Sequence, residues 1–192
     1  MMLSKKQKNS LRNGRKTEKN RKIAFYPGRF QPFHKGHLSA IRWILKNFDF
    51  VIIGVGSSQE SRTKKNPFSF DERKKMIEKT LKAHGIKKSK YKIVPIPDFF
   101  DDEKWSKYCM KNFKFDVVVT GSRWTARCFK NKRPVRRVKF FKRNMYRATL
   151  IRRMILKKDN KWKQLVPVEV YNYLIEINVC DVLKKSSSHF QK

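Results

Sequence analysis

Acidic side chains and cysteines are both in short supply. The 192-residue chain holds fifteen Asp and Glu against forty-nine Lys and Arg, a net charge of +34. A surface so poor in acid attracts polyanions, from nucleic acid to ATP, although charge alone identifies no function. The three cysteines, Cys109, Cys128 and Cys180, are odd in number and far apart. They form neither a disulfide framework nor a metal-binding pair, and a reducing cytoplasm is the expected setting. No apolar run approaches the ~20 residues that a membrane span needs, so no membrane association is expected. An apolar signal-peptide core is also missing near Met1, so secretion is not expected. Neither an internal repeat nor a Gly/Ser linker divides the chain, which has the length of one domain.

What is present is enough for a packed core: 39% hydrophobic residues, with fifteen Phe and four Trp. Residues 1–22 carry nine Lys and Arg and one Glu and read as a basic, disordered tail. A nucleic-acid arm, a targeting segment and a solvated appendage are all open for it. Residues 23–183 form the expected domain and 184–192 a polar C-terminal tail. Within the domain, 130–158 hold thirteen basic residues and no acid.

Short apolar runs alternate with amphipathic stretches. Strands are expected at Ile23–Tyr26, Phe50–Gly54, Tyr91–Ile96 and Phe115–Thr120, with a fifth edge strand over Val135–Phe141. Leu38, Ile41, Ile44, Leu45 and Phe48 recur at helical spacing. Ser69 and Glu72 have the spacing of a capping box, and Asp101 or Asp102 can cap the helix that bears Trp105. A short helix is expected over Trp124–Phe129, and closing helices over Thr149–Lys157 and Pro167–Leu183. This alternation predicts an α/β fold: a Rossmann-like, doubly wound parallel sheet of about five strands with a helical C-terminal part. Ligands of such sheets sit beyond the carboxyl ends of the strands. Gly28-Arg29, Gly56-Ser57, Pro97-Asp98 and Gly121-Ser122 each follow a strand and should open on one crevice.

Residues 28–37, Gly-Arg-Phe-Gln-Pro-Phe-His-Lys-Gly-His, span the first strand-to-helix turn. Such a turn aims backbone N–H groups and the positive end of a helix at one point, a seat for an anion. His34 and His37 fall on the first helical turn, and Gly36 admits close approach of a ligand. Two plainer readings stand beside this one. The histidines could be zinc ligands, but no third and fourth ligand sit at usable spacing; or they could cap the helix.

The ten residues resemble the first signature of the nucleotidyltransferases that end in His-x-Gly-His, in the fuller form of archaeal-type nicotinamide mononucleotide (NMN) adenylyltransferases. Tyr146-Arg-Ala-Thr-Leu-Ile-Arg152 resembles the second signature, Ser-x-Thr-x-x-Arg, with Thr149 and Arg152 matched and Arg147 standing where the family has serine. Gly54–Arg73 is similar to the family's acceptor loop. The resemblance covers roughly Lys22–Val179.

It implies attack by the NMN phosphate on the α-phosphorus of ATP, giving NAD and pyrophosphate. His34, His37, Arg29 and Arg152 would be the catalytic set. Gly28, Phe30, Gly36, Gly121 and Thr149 would join them around ATP, and Phe33, Gly56, Ser57, Lys65, Asp98 and Trp105 would hold NMN. Arg62 competes with Lys65 for the NMN phosphate. Read without the family, Trp105 is a core residue of an amphipathic helix. The implied cofactor is Mg²⁺ carried by the ATP phosphates, with no metal site of protein ligands. A homo-oligomer is implied as well. Two rivals remain: a related transferase with another phosphate acceptor, and a basic nucleic-acid-binding protein built on this fold.

Overall fold

The computed structural model describes residues 21–138 and 145–188. The basic tail up to Asn20, residues 139–144 and residues 189–192 lie outside them, and with them part of the expected fifth strand. Five strands form one parallel sheet: β1 (Ile23–Gly28), β2 (Phe50–Val55), β3 (Tyr91–Pro95), β4 (Val117–Thr120) and β5 (Val135–Arg137), in the order β3-β2-β1-β4-β5. The order reverses beside β1, so β1 and β4 flank the switch point of a doubly wound sheet. The helices are α1 (Lys35–Asn47), α2 (Phe70–Ala83), α3 (Asp102–Asn112), α4 (Arg123–Cys128), α5 (Ala148–Leu156), α6 (Val168–Glu176) and α7 (Val179–Ser188).

Both faces of the sheet are covered because the strands are apolar on both sides. Successive side chains of a strand point to opposite faces. Ala24 and Tyr26 of β1 therefore pack with Val51 and Ile53 of β2 against Leu38 and Ile41 of α1, Ile77 of α2, Ile151 of α5 and Val170 of α6. Phe25 and Ile52 point the other way, into a second core with Trp105 and Cys109 of α3, Phe115 and Phe129. Gly54 belongs to this second side. A Cβ there would lie 2.4 Å from Ile96 Cδ1 and 2.8 Å from the Phe25 ring, so the close packing requires glycine.

The helix starts follow their capping residues. Ser69 Oγ accepts from the Glu72 N–H at 3.2 Å while Glu72 Oε2 accepts from the Ser69 N–H at 2.7 Å. Asp101, rather than Asp102, caps α3 by accepting from the N–H groups of Glu103 and Lys104.

The C-terminal part departs from expectation. A single helix over Pro167–Leu183 is replaced by α6 and α7, broken where Asn178 takes φ 49°. Asparagine tolerates that left-handed conformation better than most residues. The apolar positions show the same break, since Leu174 and Val179 are spaced by more than one helical turn and the phase restarts. α7 then runs to Ser188, past the expected boundary at Leu183. Among the described residues, no helix is long and apolar enough to cross a membrane.

Candidate active site

Two hollows open at the carboxyl ends of the strands, of about 600 Å³ and about 550 Å³. They share Pro27 and Gly28 from the end of β1 and Ser122 from the turn after β4, so they form one cleft over the switch point. All four strand-end turns reach it: Gly28-Arg29, Gly56-Ser57, Asp98 and Gly121-Ser122. A volume of this size suits a nucleotide-sized ligand in each half.

His34 and His37 line the larger hollow together with Gly121, Tyr146 and Arg147. His34 is the N-cap of α1 and His37 its third residue. The Nδ1 of His34 accepts from the His37 backbone N–H, and the Nδ1 of His37 accepts from the His34 backbone N–H, each at 3.3 Å. The pair is a capping box made of two imidazoles, so the capping and ligand-binding readings of these residues are compatible. An Nδ1 that accepts leaves the ring proton on Nε2. Both rings thus keep an Nε2–H donor.

Burial pushes the His34 imidazole down to about 3. The same desolvation, followed by the charge His34 would carry, holds His37 well below its ordinary value. Near neutral pH the site therefore presents two neutral imidazoles. The backbone contributes fewer free donors than the turn alone predicts. The Lys35 N–H is bonded to the Leu165 carbonyl at 3.0 Å, and the His37 N–H is held by His34. Gly36 sits where a Cβ would lie 2.8 Å from Tyr146 Cβ and 3.1 Å from the His34 ring. Its absence lets the Tyr146–Arg147 stretch close over α1.

The smaller hollow is lined by Arg29, Gly56, Ser57, Lys65, Asp98 and Trp105, together with Glu60, Asn66 and Trp124. Ser57 Oγ donates to Asp98 Oδ2 at 2.5 Å. Lys65 is exposed at the rim, whereas Arg62 is engaged by both oxygens of Glu72 at 2.8 Å and by the Pro67 carbonyl. Asn66 Nδ2 donates to Glu60 Oε2 at 2.7 Å, and among the described residues its buried Oδ1 has no hydrogen-bond partner.

Other residues singled out in the sequence lie apart from the cavity. Phe33 is fully buried against His37 and Phe30 and lines neither hollow. Phe30 is also buried, with its ring 4.8 Å from that of His37, so it supports the imidazole from below. Thr149 is exposed near the start of α5 and lines neither hollow. It is Arg147, the N-cap of α5, that reaches the histidines' cavity. Arg152 is half-buried, donates to the Gln31 carbonyl at 2.7 Å, and is held below its ordinary value by burial and then by the Arg29 charge. Two guanidinium groups that repel one another gain most from an anion between them.

Two supporting residues escaped sequence reasoning. Gln31 pairs with the Phe68 backbone through both its amide atoms, each bond 2.9 Å, and so joins the first motif to the acceptor loop. Arg73, with no exposed surface, donates to the carbonyls of Ser69, Arg29, Gly56 and Ser57 at 2.7–3.1 Å. It ties the turns after β1 and β2 together behind the cavity. Its one visible signal is an arginine one residue after the capping Glu72, on the buried face of a helix.

Comparison with known proteins settles the family. Residues 25–161 match the cytidylyltransferase-like family. The chain belongs to it. A relative from Saccharolobus solfataricus, named nicotinamide-nucleotide adenylyltransferase, is 46% identical over 79% of this chain and 89% of its own. One of the same name from Thermococcus sibiricus is 37% identical over 87% and 90%. Among solved structures, a bifunctional NMN adenylyltransferase/ADP ribose pyrophosphatase from Francisella tularensis superposes with a TM-score of 0.67 at 32% identity, covering 86% of this chain. This chain spans 52% of that protein, which was solved with AMP and a manganese ion. Among the described residues here, no group of three or more His, Cys, Asp or Glu is placed to hold a metal.

Proposed function

We propose that the chain is a nicotinamide-nucleotide adenylyltransferase, which transfers AMP from ATP to NMN and releases pyrophosphate. The observation that carries this reading is the joined cleft: paired imidazoles and Arg147 in one half, Arg29, Lys65 and Asp98 in the other, with Gly28 and Ser122 between. The names of the relatives support the choice of substrates.

The reaction forms one bond, from an NMN phosphate oxygen to the α-phosphorus of ATP, and breaks the bond from that phosphorus to the oxygen leading to the β-phosphate. A phosphate monoester with a second pKa near ~6 is already a dianion at neutral pH, so no general base is required. The task is to align two polyanions and stabilise the leaving pyrophosphate. In this reading His34 and His37 donate from Nε2 to the triphosphate, and Gly36 and Gly121 let it approach. Arg29 and Arg147, which line the cleft, supply charge, and Arg152, close enough to Arg29 for the two charges to interact, adds to it. Lys65 takes the NMN phosphate, while Asp98, Ser57 and Trp105 face the nicotinamide nucleoside. Mg²⁺ carried in with the ATP phosphates would offset their charge, and no dedicated cage of protein carboxylates would be needed to hold it. By family resemblance the working protein is a homo-oligomer, its few, scattered cysteines suit a reducing cytoplasm, and the basic charge of residues 1–22 suits contact with nucleic acid.

The test is incubation with ATP, Mg²⁺ and a panel of phosphate acceptors, with products separated by chromatography. NAD formed from NMN is the expected result. Pyrophosphate released only with another acceptor reassigns the substrate, and no turnover with any acceptor overturns the reading.

A further inference from the structure

Charge is shared unevenly around the sheet. Between Asp116 and Asp159 the chain runs for forty-two residues without a carboxylate and carries fifteen Lys and Arg. Several of these cations gather at the β5 edge. Arg123 opens α4, Lys130 and Arg133 lie in the turn that follows, and Arg136 and Arg137 stand on β5, the last strand of the sheet. All five are exposed. The strip is continuous, because Arg137 is in register with Thr120, where the turn leading to Arg123 begins. The acids that reach it from α3 are engaged: Asp102 pairs with Arg127 at 3.0 Å, and Glu103 with Lys132. Among the described residues, none of the five pairs with a carboxylate.

The strip also differs in composition from the rest of the chain. Lysine outnumbers arginine thirty-three to sixteen overall, yet residues 123–137 hold five arginines and two lysines. At the opposite edge, beside β3, residues 87–92 hold four lysines and no arginine. A general excess of basic residues would write lysine on both edges, and lysine also serves to guard an exposed strand. Neither explains the arginines. The planar guanidinium, with its paired donors, is the group suited to phosphate oxygens.

We propose that the α4–β5 edge is a docking strip for single-stranded RNA. Successive strand residues point to opposite faces, so Arg136 and Arg137 straddle the edge. A rigid duplex meets one such face at a time, whereas a flexible single strand can run along the edge and reach both. Cellular DNA is mostly duplex, and single-stranded polynucleotide is mostly RNA. Of the five cations only Arg123 lines the cleft, so the strip works beside the catalytic site and does not depend on its substrates.

The test is the fluorescence anisotropy of a labelled, unstructured RNA mixed with the full chain over a series of salt concentrations. The wild type should bind it, and the combined variant Arg133→Gln, Arg136→Gln, Arg137→Gln should lose three phosphate contacts. Each contributes about 0.7 to the slope of log affinity against log salt for a single strand, so the slope should flatten by about 2. By the same relation affinity at ~0.1 M salt should fall about a hundredfold. The rate of NAD formation should not change, since these residues line neither hollow, and that rate reports that the fold persists. Lys87→Gln, Lys90→Gln, Lys92→Gln removes equal charge from the opposite edge and should leave the slope nearly as it was. No binding by the wild type overturns the proposal. So does an unchanged slope in the arginine variant, which would place the RNA on residues 1–22 or in the cleft. Equal flattening in both variants overturns it as well, because charge would then act wherever it lies. Tighter binding of duplex DNA than of single-stranded RNA at the same salt is equally fatal to it.

Discussion

His34 and His37 stack face to face, ring centroids 3.5 Å apart and planes 14° from parallel, each accepting the other's backbone N–H. One geometry does two jobs. It closes the first turn of α1, and it fixes both tautomers so that Nε2–H is the remaining donor of each ring. Two rings this close and this buried do not both become cations, which has direct consequences for pH.

The acid limb of kcat/KM for NMN should come from the substrate. His34 stays neutral down to about pH 3, so an apparent pKa near ~6 belongs to the NMN phosphate. Replacing NMN by an analogue with a more acidic phosphate should move the limb to lower pH by the same amount. A limb that stays fixed would mean that a group on the protein is titrating.

Stability should fall as the solution is acidified. The unfolded chain protonates its histidines near the ordinary value of 6.5, whereas folded His34 resists until about 3, and folded His37 is shifted the same way. Between those limits the unfolded state holds more protons, so stability is fully present above 6.5 and is lost as the pH drops through the window. Each such imidazole contributes about 1.4 kcal/mol per pH unit. Urea midpoints at neutral and mildly acidic pH should therefore differ, and His34→Asn, which retains a capping oxygen, should narrow the gap. A gap of wild-type size in that variant would contradict the assignment.

Gly36→Ala separates packing from propensity. Alanine favours a helix over glycine by about 1 kcal/mol, so stability alone predicts a gain or no change. The new Cβ would lie 2.8 Å from Tyr146 Cβ, which must move away together with Arg147. Turnover should fall at least about tenfold, since small misplacements of binding groups are costly, while the thermal midpoint holds. Wild-type turnover would show that Tyr146 is not held against the motif.

Arg73→Met should be the most damaging conservative-volume change. It removes the guanidinium donors to four carbonyls; those of Ser69 and Ser57 keep the backbone N–H groups of residue 73 and Glu60, while those of Arg29 and Gly56 lose the donor they had. Unsatisfied groups of this kind cost about 1–3 kcal/mol each, so a loss of about 3 kcal/mol or more is expected in urea unfolding. A loss below about 1 kcal/mol would show that water replaces the guanidinium.

The legible part of this protein was periodic or contiguous. Ile23–Tyr26, Phe50–Gly54 and Phe115–Thr120 are apolar runs, and α1 repeats every third or fourth residue, so the sheet and its first crossover follow from local pattern. The ten-residue motif is contiguous and carries the paired histidines. What sequence could not supply are relationships across the fold. The Gln31 amide completes the backbone bonding of Phe68, Arg73 joins two turns distant in sequence, and Trp124 is aimed by Asp102 on another helix. None of these leaves a repeat or a spacing rule. Phe33 shows the converse: its place within the motif invites a ligand role, and the fold gives it to the core.

The central claim is that the paired imidazoles stabilise charge on the triphosphate during adenylyl transfer. It is tested most directly by the rate of NAD formation at saturating ATP and NMN in His37→Ala, read beside that variant's urea midpoint. The account predicts a fall of about 10²–10³-fold, the range for removing a donor to developing negative charge, with only a modest change in stability. Turnover at the wild-type rate would contradict it.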